Sequence, residues 1–520
     1  MPLTLPREFN AAAYFVDHNV REHRGNNVAI ECGDESVSYH QLLQRVNRAG
    51  NALRRLGVRM EERVFLLLLD GPQFAYCFFG AIKIGAVPVP VNTLLQPADY
   101  RYLLNDSRAR VAVVSHALLP QLEAIPREDL PYLEHLVMAG EESGDVLSLP
   151  ELMAECSTEL EPAATTRDDV AFWLYSSGST GQPKACVHLQ HDMPVCADQY
   201  ARGILGMTAA DRCFSVAKLF FAYGLGNGLY FPFSVGATAI LWPERPRPAD
   251  VFAVIERHRP TLFFSVPTGY GQMLAHQREP EFDVSSVRYG VSAGEALPAA
   301  MFHRFKERFG VEILDAIGST EATHMFIANR PGGVRPGSSG QVIPGCEARI
   351  VNESGHDVAP GEIGDLLVKS DAVCAFYWNQ HEKTKDTIQG HWLRTGDKYH
   401  QDNDGYFWYA GRSDDMLKVS AVWVSPIEIE NVLIEHPDVA EAAVIGREDA
   451  DELIKPAAYV VLRPGAVASS QAKTALDEFL ATRLPRHKRP RWIEFVTELP
   501  KTSTGKLQRF KLRQMYLKKL

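Results

Sequence analysis

Short apolar runs alternate with stretches of mixed apolar and polar residues along most of this chain. Arg63–Leu69 is almost continuously apolar, as is typical of a buried strand, and Phe74–Ile84 after it is a predicted helix. Val87–Val91 is a further short extended segment. Later strands are predicted at 237–241, 261–266, 288–292 and 312–317, with helices at 249–258, 268–276 and 298–309. This alternation predicts an α/β fold with largely parallel sheets.

The pattern changes near Arg412–Asp415, where a polar Gly-Arg-Ser-Asp-Asp turn interrupts it. Pro426–Glu435 is a predicted helix with proline in its first turn, where proline is tolerated. After it, the sequence predicts strands at 439–445, 457–462 and 492–496 and a helix at 471–484. We therefore expect a large N-terminal domain, 1–412, of mixed sheets with flanking helices, and a small α+β C-terminal domain, 413–520.

Composition and charge narrow the class of protein. Of the 520 residues, 46% are apolar and 23% are charged, which is the balance of a globular protein. The formal net charge of −10 argues against a nucleic-acid partner. No apolar run approaches the roughly 18–20 residues of a membrane span, and no secretory signal is visible, so we expect no membrane partner. The eight scattered cysteines predict free thiols in the cytoplasm, and a homodimer is as compatible with the sequence as a monomer.

The segment Tyr175–Lys184 is rich in serine, threonine and glycine and follows the apolar run 170–174. Small residues let backbone N–H groups and hydroxyls point at one anion, and the lysine adds a positive charge. The spacing differs from the Walker pattern, which disfavours a P-loop of the kinase or GTPase kind. Taken alone, a segment of this composition is more often a flexible loop than a phosphate site.

The segment resembles the signature loop of the adenylate-forming superfamily, which includes acyl-CoA synthetases, luciferases and peptide-synthetase adenylation domains. Further motifs follow in the family's order over nearly the whole chain. They are Ser292–Pro298, Gly318–Glu321, Arg394–Asp397, Gly411–Lys418 and Pro500–Lys506. One such motif is weak evidence, whereas the full set in order is very specific.

The resemblance implies an enzyme that joins a carboxylate to coenzyme A in two steps, using ATP and Mg²⁺. The carboxylate first attacks ATP to form an acyl-adenylate, and the thiol then displaces AMP. Because the first step brings two anions together, the site needs cations and oriented donors. By resemblance, Lys506 bridges the carboxylate and the α-phosphate, Thr320 donates to that phosphate, and Glu321 is the Mg²⁺ ligand.

The resemblance also assigns the remaining nucleotide and coenzyme A residues. Asp414 corresponds to the hinge about which the mobile small domain rotates between the two steps. Ile317 replaces an aromatic residue that stacks on adenine in many relatives, so we expect packing without stacking there. The other ATP candidates are Ser176, Ser177, Gly178, Ser179, Thr180, Gly181 and Lys184 for the phosphates, Gly294, Glu295 and Asp315 for adenine, and Asp397 and Arg412 for ribose, while Ser420, Ala421 and Trp423 would line the coenzyme A tunnel.

The segments Ala217–Asn227, Ile317–Glu321 and Trp423–Pro426 resemble the benzoate–CoA ligase branch. Ala322 and Thr323 stand where that branch has bulky Met and Leu. We hypothesise that Ala322 opens space for a ring substituent and that Thr323 offers it a hydroxyl, which favours 2-aminobenzoate or a hydroxybenzoate over benzoate. By analogy with the branch, a flat slot for one aromatic ring would be lined by Ala222, Tyr223, Ala293, Gly318, His324 and Met325.

Two alternatives share parts of this pattern. An aryl-acid adenylation enzyme that loads a separate carrier protein would have every nucleotide motif, although we expect no fused carrier domain here. A non-catalytic nucleotide-binding protein on the same fold would have no need of both Lys506 and Glu321. The sequence therefore favours an aryl acid–CoA ligase over both.

Overall fold

The computed structural model describes residues 3–140, 146–176, 182–278, 281–413, 415–419, 422–449, 453–501 and 507–517, and the side chains at 418, 422, 423, 516 and 517 lie outside that description. Within these ranges the strands form six sheets. Two large sheets, one of nine strands and one of five, and the helices between them make up the main body, and three further sheets and a hairpin complete the chain.

The largest sheet is parallel through its centre and antiparallel at both ends. Its register places Ser292 beside Asp315, where the parallel pairing of two neighbouring strands ends. In spatial order the strands are Gln341–Val342, Met325–Ala328, Glu312–Gly318, Tyr289–Ser292, Leu262–Ser265, Arg212–Ser215, Thr238–Ile240, Val28–Cys32 and Glu35–Ser38.

The second large sheet is parallel throughout. The helices Tyr39–Arg55 and Pro72–Lys83 contribute to one continuous apolar core with residues of both large sheets. A separate core covers the opposite face of each sheet, so their central strands are apolar on both sides. In spatial order the second sheet consists of Val87–Pro90, Arg63–Leu67, Val111–Ser115, His135–Ala139 and Leu147–Ser148.

Helix starts follow local sequence signals. The side chain of Ser38 accepts a hydrogen bond from the Gln41 backbone, and Gln41 returns one to the Ser38 backbone, which completes a capping box. Several other helices begin with proline, whose missing N–H is not needed in the first turn. The α-helices are His18–Arg21, Tyr39–Arg55, Pro72–Lys83, Pro97–Ser107, Leu119–Glu123, Leu149–Ala154, Asp192–Cys196, Ala222–Leu225, Phe231–Val235, Pro248–His258, Pro267–Ala275, Ala299–Phe309, His381–Thr387, Pro426–Ile434, Ser470–Ala481 and Arg509–Leu517.

Two further sheets carry predicted residues of the site. One joins the strands on either side of the predicted phosphate loop, Val170–Ser176 and Lys184–Leu189, to Phe376–Tyr377. The other is antiparallel and contains Glu347–Val351, Gly364–Lys369, Trp392–Gln401, Ile388–Gln389 and Phe407–Arg412. The sequence patterns predict neither sheet as a unit, because pairings such as that of Phe376–Tyr377 with Lys184–Leu189 join strands far apart in the chain.

The C-terminal part has its own apolar core, which includes Val424, Ile429 and Val444. Its strands are the hairpin Leu417–Val419 and Val422–Val424 and the sheet Val439–Glu448, Ile454–Leu462 and Trp492–Phe495. The predicted α/β fold with a smaller C-terminal unit is confirmed, while the boundary at 412/413 stays a prediction. No helix within the described ranges combines the length and apolar character that crossing a bilayer requires.

Candidate active site

The parallel pairing of Tyr289–Ser292 with Glu312–Gly318 ends at Ser292 and Asp315, at the carboxyl edge of the parallel part of the largest sheet. The first strand leads into Ala293 and Gly294, and Gly294 turns the chain with a φ of 86°. The second strand carries Asp315, Ile317 and Gly318. In open α/β sheets this edge is where ligands bind. The predicted adenine candidates and part of the predicted aryl slot are therefore neighbours.

A charged cluster lies beside this edge. Lys184 Nζ is 3.3 Å from Glu321 Oε1, and it donates to the Tyr377 hydroxyl at 2.7 Å. That hydroxyl donates to Glu321 Oε1 at 2.7 Å, and Ser176 Oγ lies 3.4 Å from the same oxygen. Strand register explains the assembly, since Ser176 pairs with Lys184 across the hairpin and Tyr377 pairs with Cys186 on its other side.

Glu321 is ionised although it is largely buried, with 16% of its side chain exposed. Burial favours the protonated carboxyl, but the charge of Lys184 and the hydrogen bond from Tyr377 outweigh it and hold the pKa of Glu321 below its usual value. A carboxylate offers several acceptor positions, so it can keep these partners and also meet a cation. Mg²⁺ is commonly bound by an ionised carboxylate together with the phosphate oxygens of a substrate, so Glu321 is a suitable ligand for it.

Tyr377 was not among the predicted site residues. Burial and the charge of Glu321 raise the pKa of its hydroxyl, so it keeps its proton and acts as a donor. The ammonium of Lys184 also lies over its ring, 3.9 Å from the centroid. Nothing in the local sequence marks this tyrosine, because it reaches the cluster only through strand pairing.

The helix Pro97–Ser107 holds both ends of the predicted phosphate loop. The Tyr102 hydroxyl donates to the Pro183 carbonyl at 3.0 Å, and the Tyr175 hydroxyl donates to Asp106 Oδ2 at 2.6 Å. Tyr102 and Asp106 are four residues apart and therefore share one face of the helix. The loop residues Ser177, Gly178, Ser179, Thr180 and Gly181 lie outside the described residues, and their roles stay predictions.

The ribose candidates form a pair across two neighbouring strands. Asp397 lies opposite Arg412 in the register, and Arg412 Nη1 donates to Asp397 Oδ1 at 2.9 Å. Arg412 also donates to the Thr395 carbonyl at 3.2 Å. Gly396 between them has a φ of 75°, and a Cβ there would lie 3.1 Å from Arg412 Nη2. A glycine at this turn therefore lets the carboxylate and the guanidinium approach each other.

Asp315, an adenine candidate, is 4% exposed. Burial raises its pKa to about 8, so its carboxyl is mostly protonated at neutral pH. The backbone N–H of Leu297 donates weakly to Oδ2 at 3.4 Å. Among the described residues, Oδ1 has no hydrogen-bond partner. A neutral carboxyl at this position can donate a hydrogen bond as well as accept one.

The predicted aryl slot brings His324 next to Tyr223, with ring centroids 5.7 Å apart. The Tyr223 hydroxyl donates to the carbonyls of Ser265 and Val291 at 3.1 and 3.0 Å, which fixes its ring. Gly318 pairs with Met325, and a Cβ on Gly318 would lie 2.2 Å from the His324 carbonyl oxygen. Only glycine fits there. The other predicted slot residues, Ala222 and Ala293, are buried in the same apolar core as Met325.

The structure contradicts the roles predicted for Ala322 and Thr323. The Ala322 side chain packs into a different core, with Phe326 and Ile350. The Thr323 hydroxyl donates to the Ala372 carbonyl at 2.7 Å and lies 3.0 Å from His188 Nδ1. Neither side chain is placed to meet a ring substituent.

A tight turn explains this misplacement. Thr323 has a φ of 64°, and the His324 N–H donates to the Ala322 carbonyl at 2.7 Å, as in a γ-turn. Such a turn is strained for a β-branched residue. It reverses the direction of the side chains, so that His324 faces the predicted slot and Thr323 faces the buried pair of His188 and Asp192. In that pair, His188 Nδ1 lies 2.9 Å from Asp192 Oδ2.

Comparisons with known proteins bear directly on these features. The family described as "AMP-binding enzyme" matches residues 16–378, and "AMP-binding enzyme C-terminal domain" matches residues 428–506. This chain belongs to the AMP-binding enzyme family. The predicted resemblance to adenylate-forming enzymes is thereby confirmed.

This AMP-binding enzyme is 50% identical to the benzoate–CoA ligase of Thauera aromatica, over 98% of its own length and 97% of the relative's. A crystal structure of the anthranilate–CoA ligase AuaEII in complex with anthranoyl-AMP superposes with a TM-score of 0.94 at 46% identity, covering 98% of both chains. A benzoate–CoA ligase from Burkholderia xenovorans LB400 gives a TM-score of 0.89 at 45% identity, covering 97% of this chain and 100% of the other.

For several other predicted site residues of this AMP-binding enzyme, the structure gives a single contact or none. Thr320 precedes the tight turn, and its carbonyl accepts from the Thr323 N–H at 3.1 Å. Glu295 lies 3.2 Å from the Thr268 hydroxyl, on the adenine side of the site. Lys506, Asp414, Ser420, Ala421 and the side chain of Trp423 lie outside the described residues.

We predict that Tyr377→Phe lowers kcat/KM for ATP in adenylate formation by roughly 10- to 100-fold. The variant removes a hydrogen bond to a charged group, worth about 1.5–3 kcal/mol, while it keeps the ring under Lys184. Pyrophosphate exchange measures the effect. Tyr39→Phe is the matched control, because its buried hydroxyl donates to the Ala237 carbonyl at 2.6 Å, in a different part of the core. Equal kinetics for the two variants would contradict the role of Tyr377.

We also predict that Asp315→Asn becomes progressively more stable than the wild type as pH rises from about 4 to 8. In the folded state the pKa is raised to about 8, whereas an unfolded aspartate titrates near 3.9. Unfolding therefore releases a proton in this window, and wild-type stability falls with pH by at most about 1.4 kcal/mol per unit. Thermal unfolding midpoints across pH 5–8 measure the difference.

Asp365→Asn is the control, because the pKa of Asp365 is shifted in the opposite direction to that of Asp315. Burial opposes ionisation of Asp365, but hydrogen bonds from Lys398 and Arg394 hold its pKa below the usual value. Its stabilising contribution is therefore constant above pH 5 and is lost only as pH falls through the acid range. A stability gap for Asp315→Asn that stays flat between pH 5 and 8 would refute the predicted titration.

Proposed function

We propose that this chain is an ATP-dependent aryl acid–CoA ligase that acts through an acyl-adenylate on benzoate or a substituted benzoate. One observation supports this most strongly: the short segment from Gly318 to Met325 contributes residues to two chemically different parts of the site. At Glu321 it meets a charged cluster suited to phosphates, and at His324 it closes a buried slot lined by uncharged groups. An aromatic carboxylate in the slot would have its anionic end directed toward the nucleotide.

In the first step, a carboxylate oxygen bonds to the α-phosphorus of ATP and the bond to pyrophosphate breaks. Lys506 would offset repulsion between the two anions, Thr320 would donate to the α-phosphate, and Lys184 would neutralise part of the phosphate charge. Glu321 would hold Mg²⁺, which supplies further charge neutralisation when bound. The pair of Asp397 and Arg412 would bind the ribose hydroxyls.

In the second step, the sulfur of coenzyme A bonds to the acyl carbon and AMP leaves. We propose that the domain comprising residues 413–520 rotates about Asp414 relative to residues 1–412, removing Lys506 from the site. Ser420, Ala421 and Trp423 would then line the path of the thiol. The eight free cysteines support the predicted cytoplasmic location.

Pyrophosphate release from ATP, measured with a panel of benzoates, tests the first step, and thioester formation with coenzyme A tests the second. Product that appears only when a phosphopantetheinylated carrier protein replaces coenzyme A would identify a carrier-loading enzyme instead. Absence of pyrophosphate release with every aryl acid would refute the proposed function.

We predict that Lys506→Ala slows adenylate formation by about 10²- to 10³-fold, which is typical when a preorganised charge is removed. The variant should convert pre-made acyl-adenylate to thioester at nearly the wild-type rate, because Lys506 would be absent from the site in that step. Lys511→Ala removes an exposed lysine of the same basic tail and should leave both steps unchanged. Equal losses in both half-reactions of Lys506→Ala would contradict the rotation.

A further inference from the structure

The hydrogen bonds of His324 determine which of its ring nitrogens carries the proton. Nε2 lies 3.3 Å from the Tyr223 carbonyl oxygen and 3.2 Å from Asn227 Oδ1. A backbone carbonyl can only accept, so Nε2 must be the protonated nitrogen. The ring itself is neutral, because burial lowers its pKa to about 3. Nδ1 therefore carries a lone pair and can only accept a hydrogen bond.

That lone pair is buried, and among the described residues no group donates to it. The residue as a whole is 2% exposed. A Cβ on Gly226 would lie 2.5 Å from Cδ2 and 2.8 Å from Nε2, so this edge of the imidazole faces the segment Gly226–Tyr230. Nδ1 is the ring atom opposite that edge, and it points away from the segment. Buried polar atoms normally have a partner, so a bound molecule is expected to supply one.

The surroundings of His324 contain further unmatched polar atoms. The rings of Tyr200 and Phe231 lie 5.5 and 4.4 Å from the imidazole. Within the described part of the chain, the Tyr200 hydroxyl and Asn227 Nδ2 are buried without a hydrogen-bond partner. The remaining predicted walls of the slot, including Ala222 and Ala293, are small and apolar. The unmatched polar atoms near the predicted slot are therefore grouped around the His324 imidazole.

We propose that the aryl slot selects a ring substituent that donates a hydrogen bond, an amino or hydroxyl group, and that His324 Nδ1 is its acceptor. A methyl, methoxy or halogen substituent cannot donate, and unsubstituted benzoate leaves the lone pair unmatched. This inference rests on the proposed function and specifies its substrate class. It replaces the rationale based on Ala322 and Thr323, which the structure contradicts.

The test compares kcat/KM for benzoate and for the 2-, 3- and 4-isomers of amino-, hydroxy- and methylbenzoate, with ATP and coenzyme A. Methyl is close in size to amino and hydroxyl, so each isomer pair isolates hydrogen bonding from shape. We expect at least one donor-bearing isomer to exceed its methyl counterpart by tenfold or more. That ratio should fall toward one in His324→Leu, which lacks an acceptor.

His324→Asn should restore part of the ratio, because its Oδ1 can occupy a position near that of Nδ1. The ratio is internal to each variant, so a general loss of activity or partial unfolding does not change it. Preference below tenfold for every donor isomer, as expected if a water molecule satisfies Nδ1, would overturn the inference. So would an undiminished ratio in His324→Leu. Turnover of benzoate in either case would leave the proposed ligase function intact.

Discussion

The candidate site depends on keeping one carboxylate ionised where water has little access. Glu321 is mostly buried, and burial alone would favour its neutral form. Lys184 and Tyr377 reverse that preference from one side, with contacts of 3.3 and 2.7 Å to the same oxygen. The three residues come from separate strands and a turn, so the charge state of the site is a property of the fold. Misplacing any of these elements would leave a buried charge without compensation.

The turn at Thr323 couples this carboxylate to the aryl slot. Glu321 and His324 are three residues apart, yet Glu321 faces the charged cluster of Lys184 and Tyr377, whereas His324 faces the uncharged ring of Tyr223. The change of direction requires a backbone angle that a β-branched residue rarely adopts. Hydrogen bonds of the Thr323 side chain to Ala372 and His188 hold it in place. Local strain is thus balanced by buried contacts outside the site.

Much of the fold was predictable because its strands are apolar on both faces and its helices carry clear start signals. The strand predicted at 312–317 was found as Glu312–Gly318, and the helix predicted at 249–258 as Pro248–His258. Tyr377 was not predictable, since it meets Lys184 across 193 residues of sequence. The orientation of Thr323 was mispredicted because the γ-turn depends on tertiary hydrogen bonds. The tautomer of His324 follows from the Tyr223 carbonyl, which no sequence pattern reveals.

The helix Pro97–Ser107 has a consequence for nucleotide affinity. It fixes the residues on either side of the serine- and glycine-rich segment through two hydrogen bonds four positions apart. Ser176 and Lys184, which adjoin these two residues and pair with each other, are therefore held at a set separation before a ligand arrives. Less conformational entropy is then lost when phosphates bind, and more of the interaction energy appears as affinity. A helix that need not touch the nucleotide would thereby contribute to its binding.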